Sequence, residues 1–324
     1  LLKDGKVLIV GGFGDGFVPL ASSELYDPAT GTWSQTSGMS VGRAEHAATL
    51  LSDGRVLVSG GVDPDYYPLA SAEAYDPATG TWSPFPMEGR RSEHVSLELQ
   101  DGKIMVVGGK NQDRSLASAE IYDPTTDAWS ISGLMLDEHS GHAATVLKDG
   151  KVLVVGGARL TPQGVEPVDS EVFDPVTGEW SPTGRMARRT YTHTVSLLQD
   201  GRVLAVGGVG GGVNPYSSEL YDPSTNAWTK AGIMADARML HTTTLLKDGR
   251  VLAVGGASIT GNRASAELYD PSTGVWSPAG TMSKGRAQHT TTLLKDGRVL
   301  VVGGSDTSTE IFDPASGSWF SGGP

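Results

Sequence analysis

The chain contains no cysteine in its 324 residues, so it has neither a disulfide framework nor a thiolate to serve as ligand or nucleophile. It also lacks any run of about 18 apolar residues, the length a helix needs to span a bilayer. Positive charge is scarce: 25 Lys and Arg stand against 37 Asp and Glu, a net charge of −12. That balance disfavours nucleic acid and anionic membrane surfaces as partners. Aromatic residues make up only 7% of the chain and fall at recurring places. No linker is visible, and the 44 glycines recur at set positions instead of forming a low-complexity tract. The opening Leu1-Leu2-Lys3-Asp4 reads as the inside of a repeat and not as a signal peptide.

What is present is self-similarity. The stretch Leu293 to Gly304, LLKDGRVLVVGG, has counterparts at Leu1 to Gly12, Leu50 to Gly61, Leu99 to Gly109, Val146 to Gly157, Leu197 to Gly208 and Leu245 to Gly256. Each reads as strand, Asp-Gly turn and β-branched strand, the Gly supplying the positive φ that a tight hairpin requires. A third strand follows, Ser23 to Pro28 in the first copy, with a Glu that recurs as Glu73, Glu120, Glu171, Glu219, Glu267 and Glu310. Beyond its Asp-Pro comes a fourth strand bearing Trp33, Trp82, Trp129, Trp180, Trp228, Trp276 or Trp319. Two residues before each Trp stands Gly, Asp or Asn, the types that best tolerate a left-handed turn.

Four short strands every ~48 residues indicate a β-propeller blade. The Gly-Gly pair, the Tyr or Phe ahead of Asp-Pro, the Trp, and the Met and Arg upstream of the next strand together resemble the kelch repeat. The resemblance covers essentially the whole chain and implies one all-β domain, 1–324, a seven-bladed propeller with blades at about 1–38, 39–86, 87–134, 135–185, 186–233, 234–281 and 282–324. Seven kelch blades are similar to the propeller of galactose-oxidase-type enzymes, whose copper site uses Tyr and His ligands and a Tyr cross-linked to Cys. Without cysteine that cofactor cannot form here, and the sequence calls for no cofactor and no metal. Kelch chains of this Asp-Gly-rich style look like bacterial secreted proteins, which implies an extracellular or periplasmic location.

The innermost strand is announced by a Met followed seven residues later by His46, His94, His142, His193, His241 or His289. The first blade has only Leu1-Leu2 of it, so flanking sequence or a partner strand is expected to complete that blade. Antiparallel strands put the Asp-Gly turns and Asp-Pro loops on one side, nearly identical from blade to blade. The loops after Gly-Gly and the Met-to-His segments share the other side and vary: Phe13 to Ala21, Val62 to Ala70, Lys110 to Ala117, Ala158 to Asp169, Val209 to Tyr216, Ala257 to Ala264 and Ser305 to Ser308.

Positions equal in every blade answer to the scaffold, and departures are the candidates for function. The fourth residue after each Met reads Arg43, Arg91, His139, Thr190, Arg238, Arg286; the residue before each His reads Glu45, Glu93, Gly141, Thr192, Leu240, Gln288. With Arg189 and Tyr191 these are expected to ring a channel mouth as an anion-attracting funnel. The competing reading makes the arginines scaffold residues bonded to neighbouring-blade carbonyls. The repeated Glu is structural, paired with Lys6, Arg55 and their equivalents. His139, beside Asp137 and Glu138, is expected in a solvated loop. The six aligned histidines are too dispersed for a tetrahedral metal site. Asp63, Asp65, Tyr66 and Tyr67 form the most ligand-like variable loop, an aromatic surface for a sugar or peptide.

Three functions remain open on the sequence. The first is a non-catalytic module that binds a peptide, protein or carbohydrate at the channel mouth. The second is a sialic-acid-epimerase-like enzyme using Glu45, Glu93, Arg91 and His139. The third is an assembly module completed by a partner strand.

Overall fold

The computed structural model describes residues 1–210, 216–304 and 307–323. Within the variable loops, residues 211–215 and 305–306 therefore lie outside the described residues. The fold is all-β, a seven-bladed β-propeller of antiparallel sheets, six with four strands and the first with three. Contacts divide the chain into two compact units, Leu1–Pro182 with four blades and Thr183–Pro324 with three.

In the first unit the three-stranded blade is Val7–Val10, Ser23–Asp27 and Thr32–Thr36. The second blade shows the full pattern: Ala47–Leu50, Val56–Ser59, Ser71–Asp76 and Thr81–Pro86, each paired only with its neighbours in order. The third and fourth begin at Val95–Glu98 and Ala143–Val146, and the fourth adds an outlying hairpin, Ala158–Thr161 with Gly164–Pro167. In the second unit the blades begin at Thr194–Leu197, Thr242–Leu245 and His289–Leu293. Among the described residues no helix is long and apolar enough to cross a membrane.

Each strand's composition fits its place. In the second to sixth blades the second strands, such as Val152–Val155 and Val251–Val254, are buried at every residue, which is why they run as nearly unbroken apolar stretches. First strands of successive blades lie side by side within each unit and carry small or hydroxylated residues. Their side chains bond directly: Thr49 Oγ1 donates to Ser96 Oγ at 2.7 Å, and Thr244 Oγ1 to Thr291 Oγ1 at 2.9 Å. The fourth strands hold the tryptophans, each paired across the sheet with the Tyr or Phe before Asp-Pro. Ring centroids are 5.0 Å apart for Tyr26 and Trp33 and 5.2 Å for Tyr269 and Trp276, the separation of favourable tilted aromatic pairs. Trp180 packs on the cluster of Met105, Val107, Val152, Val154 and Phe173 within the first unit.

Candidate ligand-binding surface

The loops after Gly-Gly and the Met-to-His segments meet, joined by isolated bridges such as Ala44 with Val62, Ser92 with Lys110, and Tyr191 with Val209. The structure sorts the candidate residues here into a buried set and an exposed set.

The buried set is the cation series. Arg43, Arg238 and Arg286 are fully buried, and Arg91 is 1% exposed. Arg43 Nη1 donates to the carbonyls of Gly60 and Ser71, and its Nη2 lies 2.6 Å from Glu73 Oε1. Arg91 repeats this on Gly108, Ser118 and Glu120, Arg238 on Gly255, Ser265 and Glu267, and Arg286 on Gly303, Ser308 and Glu310. Meanwhile the backbone of the same residue bonds the preceding blade: Gly12 N donates to Arg43 O, and Gly61 N to Arg91 O. Each arginine thus staples one blade to the next. A buried guanidinium is tolerated because its donors and charge are both matched.

Four expectations are corrected by this arrangement. The arginines are scaffold residues, and their charge is met by carboxylates, so they do not form an anion-attracting funnel. The carbonyls that hold each side chain belong to the blade it leads into. In four blades the repeated Glu pairs with the Met-to-His arginine and not with the strand cation; Arg55 Nε instead bonds Asp53, two residues away, at 2.7 Å. His139 is fully buried and not in a solvated loop. Its Nδ1 lies 2.6 Å from Gly156 O and its Nε2 3.0 Å from Glu171 Oε1, so the ring takes the guanidinium's place and presents both nitrogens to acceptors.

The histidines that end the segments are also structural. His94, His241 and His289 are buried, with Nε2 at 2.9 Å from Ser59, Thr194 and Thr242 hydroxyls. Desolvation, with nearby arginine charge adding to it, pushes His46 and His289 down to about 4 and His241 to about 3, so the rings are neutral at pH 7. Among the described residues no group of three or more His, Cys, Asp or Glu is placed to hold a metal ion.

The residues before these histidines adopt positive φ, near 55°, at Glu45, Glu93, Gly141, Thr192, Leu240 and Gln288. Sequence reasoning missed this, although Gly141 is its one visible signal. The turn lets the backbone bond from blade to blade, Glu93 N to Glu45 O and Gln288 N to Leu240 O.

The exposed set is different in kind. Lys110 Nζ bridges Glu93 at 2.7 Å and Glu45 at 3.7 Å, all three partly exposed. Arg189 and Gln288 are exposed and Tyr191 is half-buried, on the second unit. In the Asp63 loop the carboxylate is a turn device, accepting from the N–H groups of Asp65 and Tyr67, and Asp65 is exposed. That turn displays Tyr66 and Tyr67, 54% and 47% exposed. The Tyr66 ring stacks on Phe13 of the first blade at 6.2 Å, and its hydroxyl donates to Phe17 O at 2.6 Å. Phe17, 72% exposed, meets Phe13 edge-on at 6.3 Å. Phe13 and Phe17 were not singled out by sequence, because their partner lies about 50 residues away.

Comparison with known proteins concurs on the fold. The kelch motif matches residues 43–86, 94–132 and 191–235. Among solved structures, a fungal alcohol oxidase of the AA5 family in complex with copper is similar, with a TM-score of 0.69 at 18% identity over 97% of this chain. This chain covers 66% of that chain, and likeness at this identity concerns the fold. No curated protein matches. A copper centre built with a Tyr–Cys cross-link does not fit the residues here, because the chain has no cysteine to form it.

Proposed function

We propose that this chain, a kelch-repeat β-propeller by its motifs and its blades, is a non-catalytic binding module for a peptide or carbohydrate. The observation that carries this is the aromatic platform of Phe13, Phe17, Tyr66 and Tyr67. Three of these rings, Phe13, Phe17 and Tyr66, are held in the open by a stack, an edge contact and a hydroxyl bond, beside the exposed Tyr67; such rings are costly to leave in water and well suited to cover a flat apolar face. A sugar ring or a planar peptide side chain presents such a face. The neighbouring Glu45, Lys110 and Glu93 add polar groups for orientation. The chemistry needed for an enzyme is weakly represented: Arg91 and His139, two of the four residues an epimerase-like site would need, are buried in scaffold pairs. An extracellular or periplasmic setting is part of this proposal.

The test is capture on printed arrays of oligosaccharides and peptides by the wild-type chain and by a Phe17→Ser, Tyr66→Ala double variant. Selective capture by the wild type that the double variant loses is the expected result. Capture unaffected by the double substitution, with both proteins folded, would place recognition elsewhere.

A further inference from the structure

Four of the six Met-to-His segments place an arginine on the Glu of their blade and the fourth blade places His139 there; the fifth blade places Thr190 there instead. Thr190 is buried, and its hydroxyl donates to Gly207 O at 3.3 Å and Val209 O at 3.2 Å. It does not reach Glu219. The rest of the cradle is kept. Gly207 N bonds Ser217 O as Gly255 N bonds Ser265 O, and Glu219 Oε2 accepts from Ala187 N at 2.8 Å as Glu267 Oε2 accepts from Ala235 N at 2.7 Å. Where Arg238 fills its blade, the fifth blade has a small, partly enclosed cavity lined by Thr190, Gly207, Ser217, Glu219, Met186 and Arg188. Glu219 is only 5% exposed, and among the described residues no side-chain ion pair reaches it. Burial raises its carboxyl above the ordinary range, against backbone donors at Ala187 and Arg188 and the charges of Arg188 and Lys230.

We propose that this cavity is a binding site for a guanidinium group, held by Glu219 and the carbonyls of Gly207 and Ser217. The ligand class follows from the sister blades: the same acceptor set, in the same register, holds a planar guanidinium with two donors on carbonyls and one on the carboxylate. Gly207 and Arg188 are partly exposed, which gives the cavity its way to solvent. The guanidinium comes from a free small cation or from an arginine side chain of a bound peptide. This inference uses other residues than the aromatic platform and stands or falls separately from it.

Thermal unfolding of the full chain with guanidinium chloride at up to about 20 mM, against equal potassium chloride, tests the site. A group bound at about millimolar Kd raises Tm saturably by about 2 to 5 °C. Thr190→Arg supplies the guanidinium internally and is expected to abolish the response; Glu219→Gln, a second variant, is expected to abolish it by removing the anchoring charge. Blocked N-acetyl-arginine amide separates the sources: a matching response assigns a peptide arginine, and a response to guanidinium alone assigns a free cation. No saturable rise, an equal rise with potassium chloride, or an undiminished rise in both variants would overturn the proposal.

Discussion

Thr190 stands at the cation position of its blade and leaves Glu219 buried without an ion-pair partner among the described residues, whereas Arg238 meets Glu267 at 3.0 Å in the next blade. A buried carboxylate whose charge is not matched weakens the fold. Supplying the missing partner therefore acts on a cost already present. Thr190→Arg is expected to stabilise the chain by about 1 to 3 kcal/mol, read as a higher urea midpoint with unchanged slope. An equal or lower midpoint would show that the cavity does not accept the guanidinium as the sister blades do.

The buried histidines set a pH dependence. In the unfolded chain they titrate near 6.5, while in the folded chain desolvation and nearby arginine charge hold His46 and His289 at about 4 and His241 at about 3. Between those values the unfolded state binds more protons, so stability falls as pH is lowered from about 6.5 towards 4, by up to about 1.4 kcal/mol per pH unit for each histidine. Glu219 works the other way, since its raised carboxyl takes up its proton more readily in the folded chain. It is one group against several. The Tm is expected to drop steeply between pH 6.5 and 4.5, and His289→Gln to flatten that drop. A level Tm across the window would contradict the neutral, buried rings.

At the aromatic platform, stability and function should separate. Tyr66 is more than half exposed and holds a positive φ of 64°. Tyr66→Gly removes the ring and the backbone strain together, so its effect on stability is expected within about 0.5 kcal/mol of the wild type. Its ligand capture is expected to be lost. Calorimetry alongside array binding checks both, and a large loss of stability would make the ring a scaffold element.

The blades were legible because their signals are local. Asp-Gly turns, Gly-Gly strand ends and the Tyr-to-Trp hairpin each act within a dozen residues, and seven repetitions made them unmistakable. The staple was not legible, because Arg43 and Glu73 are 30 residues apart and only packing brings them together. Arg55 was the nearer candidate on an adjacent strand, but its own turn aspartate takes it. The positive-φ position before each histidine was concealed by residue types as different as Glu45, Leu240 and Gln288. The Thr190 departure was visible by comparing repeats, while its consequence for Glu219 needed the staple geometry. The platform was half visible: the Asp63 loop announced its tyrosines, but Phe13 and Phe17 join them only across blades.

The central claim is that the Met-to-His cations exist to match buried carboxylates, with the fifth blade as the exception. Urea unfolding of Glu219→Gln beside Glu267→Gln tests it within one protein. Glu267→Gln takes the nearer carboxylate from the fully buried Arg238, leaving only Asp236 at 3.7 Å, and is expected to cost about 3 kcal/mol. Glu219→Gln strands no cation and relieves a buried charge, so a change within about 1 kcal/mol, or a gain, is expected. Equal losses in the two variants would contradict the account.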